Sequence, residues 1–135
     1  MKIAIYQVDA FTNERFKGNP AAVCPLSDWL PDAVMQNIAA ENNLAETAFI
    51  VAAGAQYEIR WFTPTVEVDL CGHATLASAY VLFHELGFAG ELINFVSQRS
   101  GPLSVTKIGS DLALNFPVDT LVELPLKPEF AFGLS

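Results

Sequence analysis

The sequence predicts an α+β domain in which a mixed, largely antiparallel sheet is rolled around one buried central helix. Three observations carry that prediction. Short β-rich segments recur along most of the 135 residues. One segment near the middle has helical length but is apolar on nearly every face. The chain is 52% hydrophobic, 11% aromatic and 16% charged, enough apolar material for a single core. A helix that is apolar all round must be buried all round, and strands before and after it are the material at hand to cover it.

Residues 2–9 (KIAIYQVD) are rich in β formers and give a first strand. A polar loop, FTNERFKGNP, follows at 11–20, then a short strand at 21–24. Pro31 suits the first turn of a helix. Leu30, Val34 and Ile38, with Met35 and Ala39 beside them, form its apolar stripe, and Asn42 and Asn43 end it. Two strands, 47–53 and 57–62, are joined by a turn around Gly54. The central helix is placed at 74–86, with Gly87 as its C-terminal cap. A strand at 91–97 comes next. Leu103, Val105 and Lys107 alternate with Ser104, Thr106 and Ile108. Beyond a turn at Gly109, Ser110 and Asp111, the period of two continues through Leu112, Leu114 and Phe116. Residues 118–135, with Pro125 and Pro128 and no period, read as a connection leading away from a domain at 1–117.

Fifteen acidic residues against seven Lys and Arg give a net charge of −8. A basic face cannot be assembled from them, so neither nucleic acid nor an anionic membrane is an expected partner. Residues 1–11 lack the features of a signal peptide, and the apolar run at 74–83 is too short to span a bilayer. Cys24 and Cys71 are then expected as free thiols in a reducing compartment, with the cytoplasm as the expected location.

The stretch VDLCGHATLASAY (68–80) sets an acid, a thiol and an imidazole in front of the central helix. On a strand, Asp69, Cys71 and His73 would share one face. Three ligands within five residues, with no CxxC or HxxxH partner, do not match zinc spacing, so no metal is expected. A second reading puts Gly72 and His73 at the helix N-terminus, where free N–H groups and the dipole can receive a carboxylate. Gly72 would let a ligand approach the backbone, and His73 would stay neutral there. A histidine that merely caps the helix is equally consistent with the residues. Cys71 is either a thiol activated by the helix N-terminus or a small buried residue; Cys24 reads as structural.

Upstream, Glu46 in NNLAETAFIV (42–51) is a lone carboxylate at the mouth of an apolar strand. Partial desolvation there would suit a group that takes and returns a proton, against the commoner fate of an exposed acid. Asp9 and Asn19 bracket the first polar loop as turn residues or pocket groups.

Four segments together resemble the PhzF-like, phenazine-biosynthesis family of isomerases. They are VDAFTNERFKGNPAAV (8–23), MQNIAAENNLAETAFI (35–50), IRWFTPTVEVDLCGHATLASA (59–79) and LNFP (114–117). The resemblance implies one lobe of the diaminopimelate epimerase-like fold, whose two similar lobes each roll a sheet around a helix. It places Glu46 on the family's acid/base glutamate, which moves a proton between carbons of a small carboxylate-bearing substrate without a cofactor. The best-studied substrate is trans-2,3-dihydro-3-hydroxyanthranilate. Gly72 and His73 fall on the GHAT turn beneath the substrate, and Asn19 carries over as a pocket residue. In the amino-acid epimerase branch, a thiol at the turn before the central helix is catalytic, which keeps Cys71 as an alternative. The family's second lobe, including a carboxylate opposite the glutamate, has no counterpart in these 135 residues. The resemblance therefore implies completion by a second-lobe chain or by a homodimer partner. The non-catalytic alternative is a lobe that self-associates or binds a partner.

Overall fold

The computed structural model describes residues 2–10 and 19–115. In chain order these form β1 (Tyr6–Ala10), β2 (Asn19–Leu26), α1 (Asp32–Asn42), β3 (Glu46–Ala53), β4 (Gln56–Phe62), β5 (Glu67–Val68), α2 (Gly72–His84), β6 (Leu92–Ser97), β7 (Gly101–Ile108) and β8 (Asp111–Asn115). One sheet runs β1-β2-β3-β4-β6-β7-β8, with β5 also on β4. The pairs β2–β3 and β4–β6 are parallel and the others antiparallel. Parallel neighbours need a crossover, and the two helices supply it: α1 between β2 and β3, α2 between β5 and β6.

The helices lie on opposite faces of the sheet. Both sheet edges, β1 and β8, touch α2, so the sheet curls into a half-barrel around it. Every residue of α2 from 74 to 83 except Tyr80 is buried, as the all-round apolar pattern requires. The concave face meets it with Val8, Ala21, Val23, Ala48, Ile50 and Trp61, among others. On the convex face, Met35 and Ala39 of α1 cover Cys24, Phe49 and Phe62. Alternation along β3 explains the division: Ala48 and Ile50 face α2, while Phe49 faces α1.

Several boundaries differ from those read in the sequence. β1 begins at Tyr6, with residues 2–5 outside it. β2 begins at Asn19, which joins the strand opposite Ala10. Pro31 stands just before α1 rather than within its first turn, with φ −55° and ψ 145°. Asn43 closes α1 in the left-handed region at φ 52°, its N–H on the Ala39 carbonyl. α2 starts at Gly72, two residues early, and ends at His84. Gly87 lies past its end: at φ 69° it turns the chain so that the Phe88 N–H reaches the Leu82 carbonyl and the Phe88 ring packs on Phe83. β5 had no counterpart in the periodicity, because two residues cannot show a period. The loop at 11–18, Phe116 and the connection at 118–135 lie outside the described residues. Among the described residues, no helix is long and apolar enough to cross a membrane.

Candidate active site

Glu46 is the first residue of β3, and the register sets it opposite Ala21 of β2. Alternation with Ala48 and Ile50 turns its side chain to the concave face, towards α2. That end of the sheet is where α2 begins. Oε1 of Glu46 and Nε2 of His73 approach to 2.8 Å, with side chains 19% and 11% exposed respectively. Both atoms are buried, and their approach lies off the line of a well-aligned hydrogen bond. The contact lies within ion-pair distance and would be an ion pair only with His73 protonated. The α1–β3 junction beside it is tied by the Asn42 side chain, which donates to the Thr47 hydroxyl at 3.2 Å.

Cys71 immediately precedes α2, in an extended conformation. Its Sγ lies 3.4 Å from Nδ1 of His73. Its carbonyl accepts from both the N–H and the hydroxyl of Thr75, at 3.1 and 2.8 Å. The Thr75 hydroxyl in turn accepts from the Trp61 indole at 3.0 Å, in a fully buried chain. The motifs RWFTP and CGHAT thus meet in one hydrogen-bonded junction. Neither Trp61 nor Thr75 stands out individually in the sequence. The signal available was that a tryptophan on the buried face of a strand needs a partner for its N–H.

The segment before Cys71 is clamped from outside. Arg60 donates from Nε and Nη2 to both carboxylate oxygens of Glu67, at 2.8 Å each, and from Nη1 to Asp32 at 3.0 Å. Arg99 donates to Asp69 at 2.9 Å, and the Ser100 hydroxyl donates to the Asp69 carbonyl. Asp69 is thereby turned to the surface, not onto a strand face shared with Cys71 and His73. Cavities of about 230 and 260 Å³ flank Arg60. All three guanidinium nitrogens are already engaged by Glu67 and Asp32, so this region reads as a structural clamp.

Burial holds the His73 imidazole below its ordinary 6.5, against the opposing pull of Glu46. Desolvation thus favours the neutral ring. Cys71 departs from the activated thiol considered above. Burial pushes it up to about 12, overriding backbone N–H groups at Ala74 and His73, and the negative charge of Glu46 adds to the rise. A thiol in that state is not a nucleophile near neutral pH. Cys24 is also pushed by burial to about 12, as suits a structural residue.

The structure thus joins Glu46, Cys71 and His73, with Gly72 in the same turn. Their ligand atoms lie within 4.8 Å of one another. His73, however, offers Nε2 to Glu46 and Nδ1 to Cys71, on opposite flanks of the ring. A single ion could take only one of the two ring nitrogens. Asn19 stands two positions beyond Ala21 on β2, at the Glu46 end of the sheet. Asp9, half-buried, alternates with buried Val8 and so lies on the face away from α2.

Residues 8–131 match the profile of the phenazine biosynthesis-like (PhzC-PhzF) protein family. The chain belongs to that family. This PhzF-like chain is 58% identical over 117 residues to an uncharacterized isomerase of Pseudomonas aeruginosa, covering 87% of the chain and 45% of that relative. A PhzF-family crystal structure from Enterococcus faecalis superimposes with a TM-score of 0.80 at 61% identity, over 83% of this chain and 43% of that one. A PhzC/PhzF protein from Clostridium difficile gives 0.77 at 50% identity, over 82% and 42%. The PhzF-like chain spans about half the length of the curated relatives it matches. The half-barrel around α2 is the diaminopimelate epimerase-like arrangement of these neighbours.

Proposed function

We propose that this PhzF-like chain carries the acid/base half of an isomerase site that uses no cofactor. Glu46 takes a proton from one carbon of a small carboxylate-bearing substrate, of the trans-2,3-dihydro-3-hydroxyanthranilate type. The C–H electron pair passes into the substrate's π system as the Glu46 O–H forms. The same carboxyl group then delivers a proton to a second carbon and is regenerated. The carboxylate protonated in the first step is the acid of the second, so a single carboxyl suffices and no oxidant or reductant is needed. The observation that carries this reading is the buried 2.8 Å approach of Glu46 to His73 at the first turn of α2. The N–H of Gly72 in that turn is suited to a substrate carboxylate, while that of His73 is directed at the Cys71 sulfur. Asn19 is assigned to the pocket wall.

The relatives are about twice as long as this chain, and the opposing wall of the site is assigned to a second lobe. Two buried free thiols fit a cytoplasmic setting. An epimerase built on Cys71 is disfavoured, since its thiol stays protonated near neutral pH. One observation favours a second reading, a lobe that binds a partner without turnover. Val66 and Leu70, 54% and 41% exposed, flank the segment leading into Cys71.

The test is turnover of trans-2,3-dihydro-3-hydroxyanthranilate by the chain combined with a second-lobe polypeptide, wild type against Glu46→Gln. We expect a loss of about 10²–10⁴-fold in kcat. Equal rates would remove Glu46 from the chemistry. A stable complex without turnover, weakened by Leu70→Ser, would support the partner-binding reading.

A further inference from the structure

Cys71 sits in the site with no task in the reaction above, and the geometry around it supplies one. Nε2 of His73 faces a Glu46 oxygen at 2.8 Å, whereas Nδ1 faces the Cys71 sulfur at 3.4 Å. A neutral imidazole has one N–H and one lone pair. The carboxylate oxygen can only accept, so at 2.8 Å Nε2 is the ring nitrogen placed to hold the N–H, although the pair is not aligned as a hydrogen bond. Nδ1 then presents the lone pair, and a thiol can donate to it within the reach of a sulfur hydrogen bond.

We propose that Cys71 is a positioning residue that donates its S–H to Nδ1 and so holds His73 as the neutral Nε2–H tautomer turned towards Glu46. Three further observations support this. The thiol keeps its proton, since burial, joined by the nearby Glu46 carboxylate as a second acceptor for the S–H, places it at about 12. Its backbone is fixed, because the Cys71 carbonyl takes both Thr75 donors and Trp61 locks the Thr75 hydroxyl. Among the described residues, the titratable groups set against the ring are Glu46 from β3 and Cys71 from the turn before α2. A donor on Nδ1 stabilises the neutral ring only, and therefore acts in the same direction as burial. The proposal rests on reading Glu46 and His73 as the working pair, and assigns the cysteine a role in orientation rather than attack.

The test is NMR of the full chain labelled with ¹⁵N-histidine, followed across pH. The sequence has two histidines, so exposed His84 serves as the internal reference. We expect wild-type His73 to carry its proton on Nε2, with Nδ1 unprotonated and hydrogen-bonded. In Cys71→Ala, the Nδ1 signal should move to that of an acceptor without a donor. The His73 protonation midpoint should then rise by about half a pH unit or more, because the bond favouring the neutral form is gone. Cys71→Ser, which restores a donor, should return both readings towards wild type. A wild-type Nδ1–H tautomer would overturn the proposal, with or without a folded variant. Unchanged ring shifts and midpoint in Cys71→Ala would also overturn it. No substrate enters the measurement, so absent turnover would defeat the isomerase reading and leave this one intact.

Discussion

His73 is held neutral by its surroundings, and that state links the site to stability. Its folded pKa lies below the ordinary 6.5, so the unfolded chain binds the proton more readily. The contribution is therefore fully present above 6.5 and is lost as pH falls from there through the folded pKa. We expect denaturant midpoints to fall as pH drops below about 6.5, a loss that His73→Gln should reduce. Asp32, whose carboxyl the Arg60 guanidinium holds below 3.8, acts in a separate and more acidic window. Thiols act at the other end. Cys24 and Cys71 are raised from 9.0 to about 12, so their contribution is present below 9.0 and fades as pH rises towards 12. Denaturation curves between those values should flatten in Cys24→Ala, which keeps a small apolar side chain.

At the scale of elements, α2 both fills the half-barrel and delivers the turn that carries His73. Leu76 is 1% exposed on that helix, and Leu76→Ala should cost about 2–5 kcal/mol in chemical denaturation. Thr75→Val keeps the shape but leaves the Trp61 N–H buried without its acceptor. A loss of about 1–3 kcal/mol is expected, with Thr75→Ser recovering much of it. α2 was legible in the sequence because its pattern admits only burial, and β3 because its apolar run ends in a single carboxylate. β5 was not legible: its two residues are held by pairing with β4 and by the Arg60–Glu67 ion pair, neither of which leaves a local period. Nor was the start of α2. Gly72 and His73 are poor helix formers, and the Thr75 bonds to the Cys71 carbonyl, anchored by the tertiary bond from Trp61, override that propensity. The exposed place of Asp69 depends on Arg99, thirty residues on, which spacing within the motif cannot reveal.

Across the whole molecule, the site exists only because the sheet curls. Glu46 and His73 are far apart in sequence and meet because β3 packs its concave face directly against α2. Sequence pattern marked the two residues separately, and resemblance to the family gave Glu46 an acid/base role and His73 a place beneath the substrate. Their 2.8 Å approach came from the β2–β3 register and the early start of α2. A substrate held against a single wall would stand open to water, and water weakens electrostatic interactions. We therefore expect turnover per mole of chain to rise with the occupancy of a complementary lobe or second copy. Sedimentation and rate measured on the same concentration series should report parallel curves. The most direct test of the central claim is the reaction run in deuterium oxide with the completed assembly. The account predicts solvent deuterium at the carbon that receives the proton, at a rate that falls with turnover in Glu46→Gln. Labelling by Glu46→Gln at the wild-type rate would contradict it.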